Sequence, residues 1–187
     1  RWRAFQLGNQ IIVAALEKAL PKRDSAKKPM DGRIVAVVGT DGFAHGLAKS
    51  LQARGANLII AGHDKAKAQG LAHELGCRFI LIEAIYSTMH HVLVVCPAEP
   101  AAHGKESSGA IHPGYLRPDM TVVDLTAPFA KSTWQSEAAS RGCNTVSPQA
   151  IFAQRLCLQM RIITGQEVPL EFFQEVLDRF SPESGEN

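Results

Sequence analysis

From residue 33 onward the chain alternates between short β-branched runs and segments of helical period. This alternation limits what the chain can fold into more than any other feature. Residues 33–39 (RIVAVVG) form a brief apolar run closed by a glycine, which reads as a buried strand. Runs of the same kind lie at residues 57–61 (NLIIA), 77–82, 91–95 (HVLVV), 120–125 (MTVVDL) and 144–146. Between and after them, residues 43–55, 64–75, 132–141, 149–164 and 169–180 read as helices. Asp64 stands where an N-cap is wanted, and Gly55, Gly76 and Gly142 stand where helices stop. Strands alternating with helices pair in parallel through right-handed crossovers. Strands this uniformly apolar call for cover on both faces.

The expected architecture is therefore α/β: a doubly wound, mostly parallel, Rossmann-like sheet in a single domain with flanking terminal helices. Residues 1–32 supply a helix at 7–20 and a linker punctuated by Pro21, Pro29 and Gly32, packing onto the domain. Residues 33–181 form a dinucleotide-binding-type domain with closing helices, and residues 182–187 a flexible tail. The main irregular stretch is 98–118, rich in Ala, Gly, Ser and Pro. A start at Arg1 rather than Met is what a piece of a larger polypeptide would show.

Composition narrows the function classes. The net charge of +2, without a Lys/Arg stripe, argues against nucleic acid as a partner. No apolar run approaches the ~18 residues of a membrane span, which argues against a membrane partner. Cys77, Cys96, Cys143 and Cys157 form no C-x-x-C pair and read as reduced thiols of a cytoplasmic protein. The seven histidines show no zinc spacing, so no metal site is assigned. Cys96 ends a strand where a nucleophile is well placed, but no base can be assigned to it, and small buried thiols are common there.

In a doubly wound sheet ligands sit beyond the carboxyl ends of the strands. After the first strand the chain reads GTDGFAHG, residues 39–46. A dinucleotide turn needs glycine where the chain turns sharply and again where backbone meets pyrophosphate. Gly39 takes the first role, Gly42 adds a second flexible point, and Phe43 opens the helix. The position of close approach holds Asp41. Two readings stand: a pyrophosphate site at the helix N-terminus, or a turn in which Asp41 caps that helix itself. At the tip of the second strand, Gly62 and His63 precede Asp64, Lys65 and Lys67. No acid waits there for a ribose 2′-hydroxyl, and His63, Lys65 and Lys67 would tolerate a 2′-phosphate, so a bound dinucleotide is expected to be NADP.

Taken together, these segments resemble the C-terminal, NADP-binding part of the shikimate dehydrogenase family. RIVAVVGTDGFAHGLAKSLQARGANLIIAGHDKAKAQGLAHELG is similar to that family's strand, glycine turn, helix, strand and Asn-Arg-Thr turn. HVLVVCPAEP resembles its strand ending in Asn-x-Thr-Pro-x-Gly-Met, and MTVVDLTAPFAKSTWQSEAASRG its Val-Asp-x-x-Tyr-x-Pro segment. AIFAQRLCLQMRIITGQEVP resembles its late helix, with Thr164, Gly165 and Pro169 matching the ending Thr-Gly-x-x-x-Pro.

The resemblance implies cofactor binding by Gly39, Asp41, Gly42, Phe43, His63, Lys65, Lys67, Cys96 and Pro97, and substrate binding by Gln154 and Arg155. It also locates departures. Asp41 stands for a glycine, His63 for the arginine that grips the 2′-phosphate, and Val94, Val95 and Cys96 for Asn-x-Thr. Glu99 and Pro100 stand for Gly-Met, and the tyrosine falls near Ala127. The catalytic aspartate falls on Phe5 and the partner lysine belongs to an N-terminal substrate domain, so no catalytic residue is assigned. The implied function is the NADP-binding domain of a shikimate dehydrogenase-like oxidoreductase of aromatic amino-acid biosynthesis. Its implied partner is a substrate domain or a fused 3-dehydroquinate dehydratase domain, with a homo-oligomer as a further arrangement. The alternative is a catalytically inactive domain of the same ancestry, acting as a docking or regulatory module.

Overall fold

The computed structural model describes residues 7–22, 28–97, 111–126 and 133–179. Its strands are β1 (Ile34–Val38), β2 (Asn57–Gly62), β3 (Arg78–Leu81), β4 (Val92–Val95), β5 (Thr121–Asp124) and β6 (Asn144–Thr145). Its α-helices are α1 (Leu7–Ala19), α2 (Gly42–Gln52), α3 (Lys65–Leu75), α4 (Thr133–Ser140), α5 (Pro148–Thr164) and α6 (Leu170–Arg179). The strands form one sheet in the order β3-β2-β1-β4-β5-β6. All five pairings are parallel, in registers such as Val37 opposite Ile60 and Val37 opposite Val94. The doubly wound expectation holds, and the winding reverses between β1 and β4, where a crevice must open.

Strand alternation divides the core into two layers. Val35, Val37, Leu58, Ile60, Val92, Val94 and Val123 face one side, where Ile12, Val13 and Leu16 of α1 and Leu47 and Leu51 of α2 cover them. Helix α1 thus contributes to the same core as the sheet, because its apolar side chains recur every three to four residues. The linker behind it is anchored by Arg33. This buried guanidinium donates to the Pro29 carbonyl at 2.8 Å and to the Pro21 carbonyl.

Ala36, Val38, Leu93, Val95 and Val122 face the other side. Their cover differs from the expected alternation of helices. A 3-10 turn, Ile82–Ser87, packs Ile82 and Ile85 there, and residues Ile111, Leu116 and Met120 continue the layer up to α4. Edge strand β3 also departs from uniform burial, since Phe79 and Ile80 are half-buried and Leu81 is exposed. Helix α2 ends at Gln52, three residues before the glycine expected to stop it.

Candidate functional site

A cavity of about 430 Å³ opens at the carboxyl ends of β1, β2 and β4, where the winding reverses. That volume is within the range of small-molecule sites. Val38, Gly39, Thr40, Asp41 and Gly42 line one side, Gly62, His63, Asp64 and Lys67 a second, and Cys96 and Pro97 the third. The structure therefore gathers Gly39, Asp41, Gly42, His63, Lys67, Cys96 and Pro97 around one space. Phe43 and Lys65 do not line it; both residues are exposed.

The cavity exists because the backbone can come close. Gly39 has φ +139°, and a Cβ there would sit 3.0 Å from the Cys96 Cβ and 3.2 Å from the Ala44 Cβ. Both facts demand glycine. A Cβ on Gly62 would meet Thr40 Cγ2 at 2.7 Å, so the turn into α2 lies tight against the tip of β2. Val38, Thr40, Gly62 and Asp64 also line the space, although the sequence assigned them no cofactor-binding role. Their signal was position alone, each next to a residue singled out for other reasons.

Two aspartates start the two helices that flank the space. Asp41 is the N-cap of α2, with its Oδ1 accepting from the Ala44 amide at 2.8 Å. The capping contact foreseen for this turn is present. Among the described residues nothing accepts from the Gly42 and Phe43 amides, which lie in the first turn without an intrahelical carbonyl. A Cβ on Gly42 would meet nothing within 4 Å. Asp64 caps α3 more fully, accepting from the Ala66 amide at 2.8 Å and the Lys67 amide at 3.1 Å. The helices are joined further along, where Glu74 meets His45 at 2.9 Å and Lys49 at 3.1 Å.

Cys96 forms the back wall, 1% exposed. Burial pushes its thiol well up, and the Asp41 carboxylate adds to the rise. A thiol held neutral is not a nucleophile at ordinary pH. At the end of β5, buried Asp124 accepts from the Thr126 hydroxyl at 2.6 Å and the Thr126 amide at 3.0 Å. His90 is buried with Nδ1 at 2.8 Å from the Thr88 carbonyl, and burial pushes its pKa down. His91 accepts from the Ile34 amide at 3.0 Å. Both are at the amino ends of the strands, away from the cavity.

Gln154 and Arg155 lie apart from this cavity. Gln154 lines a shallower groove of about 300 Å³ between α5 and α6, with Cys157, Leu158, Arg161, Glu167, Val168 and Leu170. Arg155 is exposed, its guanidinium carbon 5.9 Å from the centre of the Phe152 ring.

No family model matches the chain. Over 143 residues it is 24% identical to the shikimate dehydrogenase (NADP(+)) of Dehalococcoides mccartyi, which covers 72% of this chain and 50% of that protein. It is 22% identical over 158 residues to the chloroplastic bifunctional 3-dehydroquinate dehydratase/shikimate dehydrogenase of Arabidopsis thaliana, covering 83% of this chain and 26% of that protein. Among solved structures, a shikimate dehydrogenase in complex with NADP+ matches with a TM-score of 0.71 at 19% identity, over 93% of this chain and 61% of that one. This chain resembles the shikimate dehydrogenases. It spans about half the length of the Dehalococcoides enzyme.

Several shikimate dehydrogenase positions can be placed on the structure. Val94 and Val95 end β4 inside the sheet, and Cys96 and Pro97 follow at the cavity. Thr164 and Gly165 close α5, with the Thr164 hydroxyl donating to the Met160 carbonyl at 2.8 Å and Gly165 as C-cap. Phe5, Glu99, Pro100 and Ala127 lie outside the described residues. So does most of the irregular stretch, although a 3-10 turn at Pro113–Tyr115 falls within its described end.

Proposed function

We propose that the chain is the NADP-binding part of a shikimate dehydrogenase-like oxidoreductase acting on shikimate or 3-dehydroshikimate. The observation that carries this reading is the cavity at the reversal of the winding, walled by Gly39 and Gly62 at the two strand tips. The residues fit a nucleotide. Gly42 would admit the backbone approach, and His63 and Lys67 would take a 2′-phosphate, the Asp64 carboxylate on that side being engaged by the Ala66 and Lys67 amides. Cys96 and Pro97 would border the far end. When bound, the nicotinamide supplies or accepts a hydride, and the protein positions it.

Among the described residues, the groups around the cavity do not by themselves make up an active site. None of the residues lining the cavity is a proton-handling pair of the kind an alcohol–ketone interconversion needs. The remaining groups are proposed to come from a substrate-binding part of the protein outside this chain. Its docking face is proposed to be α5–α6, which carries Gln154 and Arg155. Ile162, Ile163 and Phe172 are 53%, 79% and 55% exposed there, an apolar surface that asks for cover. A docking module without catalysis is the second reading, favoured by the carboxylate of Asp41 in the nucleotide turn.

Calorimetric titration of this chain with NADPH and NADH tests the cofactor reading. Preference for NADPH is expected. Equal binding of both would remove the role of His63 and Lys67, and binding of neither would leave the docking reading.

A further inference from the structure

The nucleotide cavity is not uniform in charge. At the β2 side it presents His63 and Lys67 beside Asp64, whose Oδ1 is taken by the Ala66 and Lys67 amides, while at the head of α2 the Asp41 carboxylate is the one charged group among the lining residues. A helix N-terminus attracts anions through its unpaired amides and its dipole. Here one of those amides, Ala44, is already held by Asp41 Oδ1, and the acceptor is itself an anion. Gly42, where a Cβ would meet nothing within 4 Å, keeps the backbone open to a close ligand, so the turn has room for a phosphate and is charged against one. Burial raises the Cys96 thiol at the back wall, and the Asp41 carboxylate adds to that rise.

We propose that Asp41 is a selectivity gate: it keeps the diphosphate of a dinucleotide from the head of α2, while the His63 and Lys67 side still accepts a phosphorylated adenosine. The proposal rests on the nucleotide reading above. It means that in the native chain the diphosphate adds almost nothing to binding, and that affinity comes from the adenosine 2′-phosphate end. Like charges in a partly enclosed site repel more than they would in water. The capped amide is also one fewer donor for the phosphate.

The test is calorimetric titration of the native chain, Asp41→Asn and Asp41→Gly with adenosine 2′-monophosphate and with NADP+. Asparagine keeps a side-chain oxygen for the Ala44 amide and removes the charge. Thermal melts of the three proteins establish that each is folded, and the two variants alter the cap in different ways. For the native chain the two ligands are expected to bind within about threefold of each other. Asp41→Asn should tighten NADP+ by roughly tenfold or more and leave the monophosphate within about twofold. NADP+ binding that appears only in the variants supports the gate in its strongest form. If NADP+ already binds the native chain about a hundredfold tighter than the monophosphate, and the variants do not change it, the gate is overturned while the cofactor site stands. Weaker NADP+ binding in Asp41→Asn also overturns it, since the carboxylate would then be a ligand contact. Failure of both ligands with all three proteins overturns the gate and the cofactor reading together.

Discussion

The turns into α2 and α3 are built from the same parts and present opposite surfaces. Each has a closely packed glycine at a strand tip, Gly39 at φ +139° against Cys96 and Ala44, Gly62 against the Thr40 methyl. Each starts its helix on an aspartate. Asp64 takes two amides and Lys67 lines the cavity beside it, so α3 offers an anion a side-chain cation rather than backbone. Asp41 takes one amide and leaves Gly42 and Phe43 uncommitted, so α2 offers backbone next to a negative charge. What an α/β crevice can hold is thus set less by its strands than by how completely each N-cap consumes the helix start behind it.

The largest expected effect tests the shared part of the design. Gly39→Ala places a Cβ 3.0 Å from the Cys96 Cβ at a backbone angle L-residues rarely adopt, and should lower stability by about 2–3 kcal/mol. Urea unfolding followed by circular dichroism measures it. A variant as stable as the parent would mean the turn does not have this geometry.

The next effect separates the two caps. Asp64→Ala abandons two amides and should cost about 1–2 kcal/mol, while Asp41→Ala abandons one and should cost about 1 kcal/mol or less. The same unfolding measurement ranks them, and a larger loss at Asp41 would reverse the comparison. Of similar size is Lys67→Ala. It should weaken adenosine 2′-monophosphate about tenfold, some 1.4 kcal/mol, with adenosine itself unaffected. Equal weakening of both ligands would mean Lys67 shapes the cavity rather than reading a phosphate.

How much of this was readable beforehand depends on what local sequence encodes. The strands and the α-helices were legible because period-2 and period-3.6 patterns are imposed residue by residue. The capping role of Asp41 was legible as one of two readings, since an aspartate three residues before an amide has the reach to bond it. Ile82–Ser87 was not legible, because six residues are too few to show a period. The half-exposure of β3 was also hidden, because a strand's place at the edge follows from sheet order rather than from its own residues. Gln154 and Arg155 show the same limit at the site. Their helix was readable, but its distance from the cavity depends on how α5 leaves the sheet.

The smallest expected effect on stability is the sharpest test of the comparison. Gly42 has neither of the constraints on Gly39. A Cβ there would meet nothing within 4 Å, and it sits in the first turn of a helix. Gly42→Ala should therefore leave stability unchanged or raise it by up to about 1 kcal/mol, because alanine loses less entropy on folding. The open space beside it is bordered by the cavity that Gly42 lines. If that space is where a phosphate approaches the backbone, the added methyl must cost binding while the fold gains. In the Asp41→Asn background, where NADP+ affinity is expected to be highest, Gly42→Ala should weaken NADP+ several-fold, roughly 1 kcal/mol. A glycine kept for internal packing cannot give that split between a firmer fold and a poorer site. Loss of stability, or unchanged NADP+ affinity, would place Gly42 with Gly39 as a part of the fold alone.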